Sequence, residues 1–324
     1  MDALPQNSLP HNFLTSNALL NRRTLLGGAA AGAAAWAVRP ALAEPPRETP
    51  PLKIIDPHVH VWKNDPKYPW PDSLENPPAE DALPGPLLQL MEQNHVAHTV
   101  IVHVVYYLWD CRYAAAVVKE HPAKFQGVCR IDPQSATAPA DLSRWVKDYG
   151  YHGVRLSPYP GPEGDWINDR RQMDLICAKA IELQVPLCVL CPVERIPEVE
   201  KVIERHPQLN VCIDHMAWCP IDQPQELAKL LRLARYPRVH VKISHLWRLS
   251  RQAYPYKDTF DQVKKLYDAF GPERLMWGSD WPAVEEFCGY ARALALYRDE
   301  IPFFNNDDRR WILGGVANKL WPFA

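Results

Sequence analysis

Short apolar runs alternate with longer amphipathic stretches along most of this chain, and this alternation constrains the fold more than any single motif. The apolar runs are rich in Val, Ile and Leu and have few polar positions, which is typical of strands covered on both faces. Eight runs are predicted as strands, at 52–59, 99–105, 125–131, 153–156, 186–191, 210–214, 239–244 and 275–279. The intervening stretches predict helices at 85–96, 111–121, 138–149, 170–184, 197–206, 225–236 and 256–270.

Strands that alternate with helices form a parallel sheet, because each connection must cross back over the sheet before the next strand begins. Eight such units predict an α/β fold in which the sheet closes into a (β/α)8 barrel, the TIM barrel. An open, doubly wound sheet is the competing architecture. It is disfavoured because no glycine-rich dinucleotide-binding turn follows the first strand.

Histidines and an aspartate occur at the ends of three predicted strands. His58 and His60 end the first strand, and because side chains alternate along a strand they point to the same side. His215 ends the sixth strand and Asp280 ends the eighth. The carboxyl ends of all strands meet at the mouth of a TIM barrel where its active sites lie. The sequence therefore predicts a catalytic set of Asp280, His215, His58 and His60. The alternative is that these are polar groups with structural hydrogen bonds at the barrel rim, in which case Asp280 would be a helix N-cap.

Two arginines lie in the middle strands. Arg130 ends the third strand and Arg155 lies in the fourth. A guanidinium binds a carboxylate through two parallel hydrogen bonds, so both are candidates for holding a substrate carboxylate. The alternative for each is an ion pair with an acidic residue at a strand end.

The chain resembles the amidohydrolase-related family, and within it the lactonase branch that includes fuconolactonases and 2-pyrone-4,6-dicarboxylate lactonase. The resemblance rests on the order and spacing of several segments between about Lys53 and Trp321 rather than on one decisive motif. These are Asp-x-His-x-His at 56–60, Tyr-Pro-Trp-Pro at 68–71, Asp-His-Met at 214–216, Lys-Ile-Ser at 242–244, Gly-Ser-Asp-Trp-Pro at 278–282 and the closing segment 311–321. The resemblance implies a barrel of the metal-dependent hydrolase type.

The chain departs from the metal-binding pattern of that superfamily in two places. Many metal-dependent relatives carry a histidine in strand five, but 187–192 contains none, and strand four has no lysine that could be carboxylated to bridge two metals. A two-metal site is therefore not expected. His58, His60 and Asp280 could still hold one divalent ion, zinc being the first choice, with a position left for water. Some lactonases of this branch work without metal, so a metal-independent site is the open alternative.

These residues and the resemblance predict a hydrolase that opens a lactone of a sugar acid or an aromatic-derived acid. Asp280 is the candidate general base for water. His58, His60 and His215 are candidates to stabilise the oxyanion, directly or through a metal. One alternative is a zinc-dependent decarboxylase or hydratase of the same superfamily, which the missing strand-five histidine disfavours. The other is a non-catalytic binding protein, which the presence of all four polar residues disfavours.

The amino-terminal segment predicts export. Paired arginines at 22–23 precede an Ala- and Gly-rich apolar stretch, and Ala-Leu-Ala at 41–43 resembles a cleavage site. The pattern resembles a twin-arginine signal and predicts a periplasmic protein. The domain division expected is a signal peptide at 1–43, a proline-rich linker at 44–51 and the barrel at 52–324.

Charge and cysteine spacing limit the partners. The formal net charge of −2 and the absence of a basic run favour a small-molecule substrate, with no nucleic acid and no membrane after signal cleavage. A homo-oligomer stays open, since the outer helices of barrels often pair. Cys188 and Cys191 should face opposite sides of strand five, which favours two core residues over a Cys-x-x-C site.

Overall fold

The structure is a computed structural model that describes residues 52–158 and 166–323. The predicted signal peptide at 1–43 and linker at 44–51 lie outside these residues, so both stay predictions. Within the described part of the chain, no helix is both long enough and apolar enough to cross a membrane.

The eight predicted strands are all present and form one parallel sheet in chain order. They are β1 (Ile54–Val59), β2 (Val96–Val102), β3 (Phe125–Arg130), β4 (Val154–Leu156), β5 (Leu187–Val189), β6 (Val211–Ile213), β7 (Val239–Lys242) and β8 (Leu275–Met276). Every strand residue is buried except two in β2. This burial explains why the strands read as apolar runs without alternation.

The sheet closes through the segment that follows β8. The Asp280 N–H donates to the His58 carbonyl at 2.9 Å, and the His60 N–H donates to the Trp281 carbonyl at 2.8 Å. A parallel bridge between Val59 and Trp281 joins the same two segments. The predicted (β/α)8 barrel is therefore confirmed, and its closing seam is built from residues next to the candidate catalytic groups.

Helices cover the outside of the sheet between successive strands. They are α1 (Pro84–Gln93), α2 (Arg112–Glu120), α3 (Ala138–Tyr149), α4 (Arg170–Glu182), α5 (Ile196–Arg205), α6 (Pro224–Arg232), α7 (Leu246–Leu249) and α8 (Phe260–Phe270). Local signals fix several of their ends. Gly150, with φ of 74°, ends α3 in the left-handed region that suits glycine, and the Asp169 side chain accepts the Gln172 N–H at the start of α4.

Some element boundaries differ from the predicted ones for reasons of backbone bonding. Helix α1 ends at Gln93 and His95 takes φ of 56°, so the chain turns early and β2 begins at Val96 rather than 99. Strand β8 stops at Met276 because the next N–H groups leave the ladder. The N–H of Trp277 bonds to the carbonyl of Ile312, and that of Ser279 bonds to a side chain of β1.

Three short helices after β8 were not predicted from the sequence. They are α9 (Tyr290–Ala295), α10 (Asn306–Arg310) and α11 (Val316–Leu320). Helix α11 and the following Trp321 pack on the apolar residues inside the barrel, and Trp321 is fully buried. They sit at the amino ends of the strands, because Gly314 lies against the carbonyl of Lys53 and Trp321 lies beside Gly153. The carboxyl-terminal segment is thus the floor of the barrel.

The barrel interior contains one of the two cysteines that were predicted to face opposite sides of strand five. Cys188 lies in the interior cluster beside Cys212 of the next strand, whereas Cys191 follows β5 and belongs to the outer core. The two residues therefore do face different sides of the strand. All eight cysteines are free thiols.

Candidate active site

The four residues predicted as catalytic come together at the carboxyl ends of the strands. The Oδ1 atom of Asp280 lies 3.4 Å from His58 Nε2, 3.1 Å from His60 Nε2 and 4.0 Å from His215 Nε2. All four side chains are buried or nearly so. One carboxylate oxygen thus faces three imidazoles from β1 and β6.

Unusual backbone conformations direct these side chains into the mouth. Asp280 has φ of 57°, and His215 begins a run of four residues, His215 to Trp218, that all have positive φ. A residue other than glycine costs about 1–2 kcal/mol in this left-handed conformation. Strain of this kind persists only where the surroundings impose it, and it concentrates at functional sites. Asp280 does not cap a helix, because the turn after β8 begins at Ala283 with Pro282 at its cap position.

Sequence reasoning gave no role to a fifth residue of the cluster, His245. Its Nε2 lies 2.6 Å from Oδ2 of Asp280, and its ring stacks on that of His215 with centroids 3.6 Å apart and an interplanar angle of 8°. The Trp218 indole N–H donates to its Nδ1 at 3.2 Å. Its position directly after β7 is the signal that could have assigned it, since that is where the other site residues were found.

Beneath the imidazoles, a network of charged side chains is enclosed in the barrel. Lys242 Nζ lies 2.9 Å from Asp214 Oδ1 and 2.9 Å from His58 Nδ1, while Arg155 Nε donates to Asp214 Oδ2 at 2.9 Å. Burial works to raise the pKa of Asp214, but Lys242 and its other cationic neighbours hold that pKa well below its ordinary value. Burial works to lower the pKa of Lys242, but Asp214 raises it by more, so that this pKa lies above its ordinary value. Asp214 and Lys242 are therefore a charged pair.

The two predicted substrate arginines have different surroundings. Arg155 forms the ion pair with Asp214, which was the alternative expectation for it. Arg130 donates from Nη1 to the Ser157 hydroxyl at 3.0 Å and lies over the Trp109 ring at 5.5 Å. Both guanidinium groups are buried at the carboxyl ends of neighbouring strands.

Hydrogen bonds fix where the protons of two imidazoles lie. An ammonium group can only donate, so the Lys242 contact requires a lone pair on His58 Nδ1 and places the ring proton on Nε2. His60 Nδ1 lies 2.7 Å from the carbonyl of Val102, which can only accept, so His60 is protonated at Nδ1. Its Nε2 then has a free lone pair directed at Asp280.

Burial favours the neutral forms of His58 and His215, whereas Asp280 stays charged. Burial lowers the pKa of His58 and of His215 well below the ordinary value, and Lys242 adds to the effect on His58. Burial works to raise the pKa of Asp280, but His245, whose Nε2 lies 2.6 Å from Oδ2, holds that pKa well below its ordinary value. The site thus offers a carboxylate in its ionised form, which is the form that can accept a proton from water.

The arrangement also fits one divalent ion. The ligand atoms of His58, His60 and Asp280 lie within 4.8 Å of one another, and His58 Nε2 and Asp280 Oδ1 have no hydrogen-bond partner among the described residues. Two imidazole nitrogens and a carboxylate are a ligand set typical of zinc. Coordination by His58 requires its proton to move to Nδ1, so Lys242 would have to release that nitrogen and Asp214 Oδ1, 3.6 Å away, would accept the proton instead.

Two other groups also have metal-ligand geometry, but their surroundings fit an ion less well. His215 and His245 share Asp280 in the same way as His58 and His60. The Trp218 indole occupies the Nδ1 lone pair of His245, as Lys242 occupies that of His58, so in both rings the proton lies on the nitrogen that would have to bind the ion. His58 differs in having the Asp214 carboxylate 3.6 Å from its Nδ1, where a moved proton could be accepted. Cys188, Cys212 and Asp214 form the third group, in which burial raises the pKa of the Cys212 thiol and opposes the thiolate that a metal requires.

Comparison with known proteins agrees with this geometry. The family model described as Amidohydrolase matches residues 55–323. L-fucono-1,5-lactonase of Burkholderia ambifaria is 30% identical over 278 residues, which cover 81% of this chain and 93% of that protein. 4-Sulfomuconolactone hydrolase of Hydrogenophaga intermedia is 26% identical over 257 residues, covering 76% and 82%.

A solved structure shares the fold at lower sequence identity. A candidate 2-pyrone-4,6-dicarboxylic acid hydrolase from Pseudomonas putida superposes with a TM-score of 0.70 at 24% identity, over 84% of this chain and 98% of that one. The family model covers the whole barrel, from β1 to the segment after α11. The chain belongs to the amidohydrolase family.

Proposed function

We propose that this protein is a lactonase that hydrolyses the ring ester of a sugar-acid or aromatic-derived lactone. The observation that carries the proposal is the ionised, buried Asp280 among imidazoles of His58, His60, His215 and His245 at the barrel mouth. The similarity to an L-fucono-1,5-lactonase along most of both chains supports the same reaction class.

In the proposed reaction, Asp280 acts as the general base. It takes a proton from a water molecule as the water oxygen attacks the carbonyl carbon of the lactone. The tetrahedral intermediate then collapses, the bond between the carbonyl carbon and the ring oxygen breaks, and the proton held by Asp280 passes to the departing alkoxide. The product is the open-chain hydroxy acid.

His58 and His215 are proposed to stabilise the negative charge that develops on the carbonyl oxygen. His60, which was also predicted for this role, presents a lone pair at Nε2 and cannot donate to that oxygen. His58 is suited to this role because Lys242 keeps its proton on Nε2, which faces the mouth. His215 can donate from Nε2 when the Ser244 hydroxyl, 2.7 Å from its Nδ1, serves as the donor in that bond. Donors placed in advance at a developing oxyanion contribute more than donors that must reorient.

His58, His60 and Asp280 would hold a zinc ion if the enzyme uses one. Such an ion polarises a carbonyl and lowers the pKa of a bound water. The chain's own contribution is then to keep His60 protonated at Nδ1 through Val102, so that Nε2 is free. The roles of Asp280 and of the charged network below it are needed with or without the metal.

Arg130 is proposed to bind a carboxylate of the substrate. It lies at the end of β3 on the same side of the sheet as Arg155, and the Ser157 hydroxyl and the Trp109 ring hold its guanidinium. Arg155 is a weaker candidate for this role, because Asp214 already accepts from its Nε. Replacement of Arg130 by Leu should raise KM about tenfold or more for acidic lactones and less for neutral ones.

A lactone panel tests the proposal. Acid release is followed for sugar-acid and aromatic-derived lactones, and carbon dioxide release is followed from aromatic acids of similar size. Turnover of at least one lactone without carbon dioxide release is expected. Carbon dioxide release alone would indicate a decarboxylase, and ligand binding without any turnover would indicate a non-catalytic binding protein.

We also propose that the protein is exported to the periplasm by the twin-arginine route. The support is the paired arginines at 22–23, the apolar stretch after them and the Ala-Leu-Ala at 41–43. Residues 1–43 fused to a folded reporter should carry it to the periplasm, and replacement of both arginines by lysine should abolish this. Whether two barrels pair through their helices stays a prediction, which light scattering of the purified protein tests.

A further inference from the structure

His245 makes contacts that the proposed lactonase mechanism does not use. It follows β7, is 5% exposed, and begins α7 with φ of 66°, so the chain turns at this residue. The Arg248 and Leu249 N–H groups both donate to its carbonyl, at 2.8 and 3.0 Å. The backbone that carries the imidazole is therefore fixed.

The side chain is held from two further sides. The Trp218 indole N–H can only donate, so Nδ1 of His245 must present its lone pair and the ring proton must lie on Nε2. Stacking on His215 at 3.6 Å fixes the plane of the ring. The Nε2–H is thereby directed at Oδ2 of Asp280, 2.6 Å away.

The two oxygens of Asp280 have different surroundings as a result. Oδ2 accepts from His245, whereas Oδ1 lies among His58, His60 and His215 and has no hydrogen-bond partner within the described residues. The terminal torsion of a carboxylate is soft, so without a donor on one oxygen the two could exchange places. The His245 bond removes that freedom.

We infer that His245 is a positioning residue, which holds Asp280 in the rotation that keeps Oδ1 among the imidazoles, and that the Trp218 indole selects the tautomer it needs. This inference rests on the proposed lactone hydrolysis and assigns a further residue to it. His245 itself need not touch the substrate.

Activity variants separate positioning from packing. His245→Leu keeps the volume but loses the donor, so kcat should fall about 100-fold while KM stays within about threefold, because the lost interaction orients the base rather than the substrate. His245→Gln can donate from its amide to the same oxygen and should retain kcat within about tenfold of the wild type. Trp218→Phe removes the tautomer control, and in combination with His245→Leu it should add little further loss.

His240→Leu is the matched control, since His240 is also a buried histidine of β7 but lies deeper in the barrel, aligned with Cys212. It should leave kcat and KM close to those of the wild type. Equal loss in His245→Leu and His245→Gln, or no more loss in His245→Leu than in the control, would overturn the inference.

An NMR experiment tests the same inference without catalysis. Two-bond proton–nitrogen correlations of the histidine rings report which nitrogen is protonated. His245 is expected to carry its proton on Nε2 in the wild type, where the Trp218 indole and the Asp280 carboxylate both favour it, and to lose that preference in Trp218→Phe combined with Asp280→Ala. A proton on Nδ1 in the wild type would contradict the inference. If no lactone is turned over, the proposed function fails, and this arm still decides whether the Trp218–His245–Asp280 arrangement exists.

Discussion

The ammonium of Lys242 lies 2.9 Å from Nδ1 of His58, inside a barrel where neither side chain reaches solvent. Because the ammonium has no lone pair, this contact sets the tautomer of His58 and turns its N–H toward Asp280. The Trp218 indole does the same for His245. Lys242 and Trp218 thus determine that the N–H groups of His58 and His245 face the Asp280 carboxylate.

The ion pair of Lys242 with Asp214 should be essential for stability. Lys242→Met leaves the fully buried Asp214 carboxylate paired with Arg155, and breaking a buried pair in this way costs about 3–5 kcal/mol. Lys264→Met is the control, because the Lys264–Asp268 pair on α8 is exposed and should contribute within about 0.5 kcal/mol. Denaturant unfolding measures both, and equal midpoints for the two variants would contradict this account.

A buried aspartate on β1 should make stability depend on pH. Oδ1 of Asp56 accepts the N–H groups of His58 and Ser279, which joins β1 to the segment carrying Asp280. Burial raises the pKa of Asp56 from 3.8 to about 6, although its bonds to Ser279 and His58 oppose this. The folded state therefore keeps a proton that unfolding releases, and the stability from this group is lost as pH rises from about 4 to about 6.

Asp56→Asn removes this titration and can keep the two accepted bonds. Between pH 5 and pH 7.5, the free energy of unfolding of the variant should gain about 1 kcal/mol relative to the wild type. Other titrating groups are common to both proteins and cancel in the difference. Unfolding curves at the two pH values measure it, and a difference that does not change with pH would show that Asp56 has an ordinary pKa.

The floor of the barrel depends on a glycine that lies against β1. A Cβ added at Gly314 would lie 1.9 Å from the carbonyl oxygen of Lys53, so Gly314→Ala must displace backbone and should cost more than about 3 kcal/mol. Gly85→Ala is the control, since a Cβ there meets nothing within 4 Å and Gly85 lies in α1. It should stabilise by about 0.5–1 kcal/mol. A thermal midpoint of Gly314→Ala equal to that of the wild type would rule out the close contact.

Metal analysis separates the two readings of the His58–His60–Asp280 group. Protein produced with zinc should hold about one equivalent of metal. His60→Ala should lose it because the free Nε2 lone pair is removed, whereas His98→Ala, near the start of β2 beside Phe323, should keep it. Metal-free wild-type protein with undiminished lactone hydrolysis would establish the metal-independent alternative.

The fold could be predicted from the sequence because burial on both faces leaves each strand as an apolar run between helices. The convergence of His58, His60, His215 and Asp280 followed from the same reasoning, since parallel strands of a barrel end at one mouth. The sequence alone could not decide whether Arg155 pairs with an acidic residue of the barrel or with a substrate. The structure identifies Asp214 as its partner.

The remaining features depend on tertiary contacts that local pattern does not encode. The direction of the His245 side chain depends on a left-handed backbone at the exit of β7, where the residue is not a glycine. In the sequence, Lys242 is only a polar residue at the end of an apolar run. The structure shows that it contacts Asp214 and His58. Helices α9, α10 and α11 are too short for a helical period to stand out, and packing rather than propensity stabilises them.

The most direct test of the account is the turnover number of Asp280→Asn on the best lactone of the panel, measured beside Asp268→Asn, a surface control on α8. With hydrolysis run in ¹⁸O-labelled water, the wild type should place the label in the new carboxylate. Asp280→Asn should lower kcat by about 10³-fold or more, while Asp268→Asn should match the wild type. An Asp280→Asn variant within tenfold of the wild type would contradict the central role given to this carboxylate.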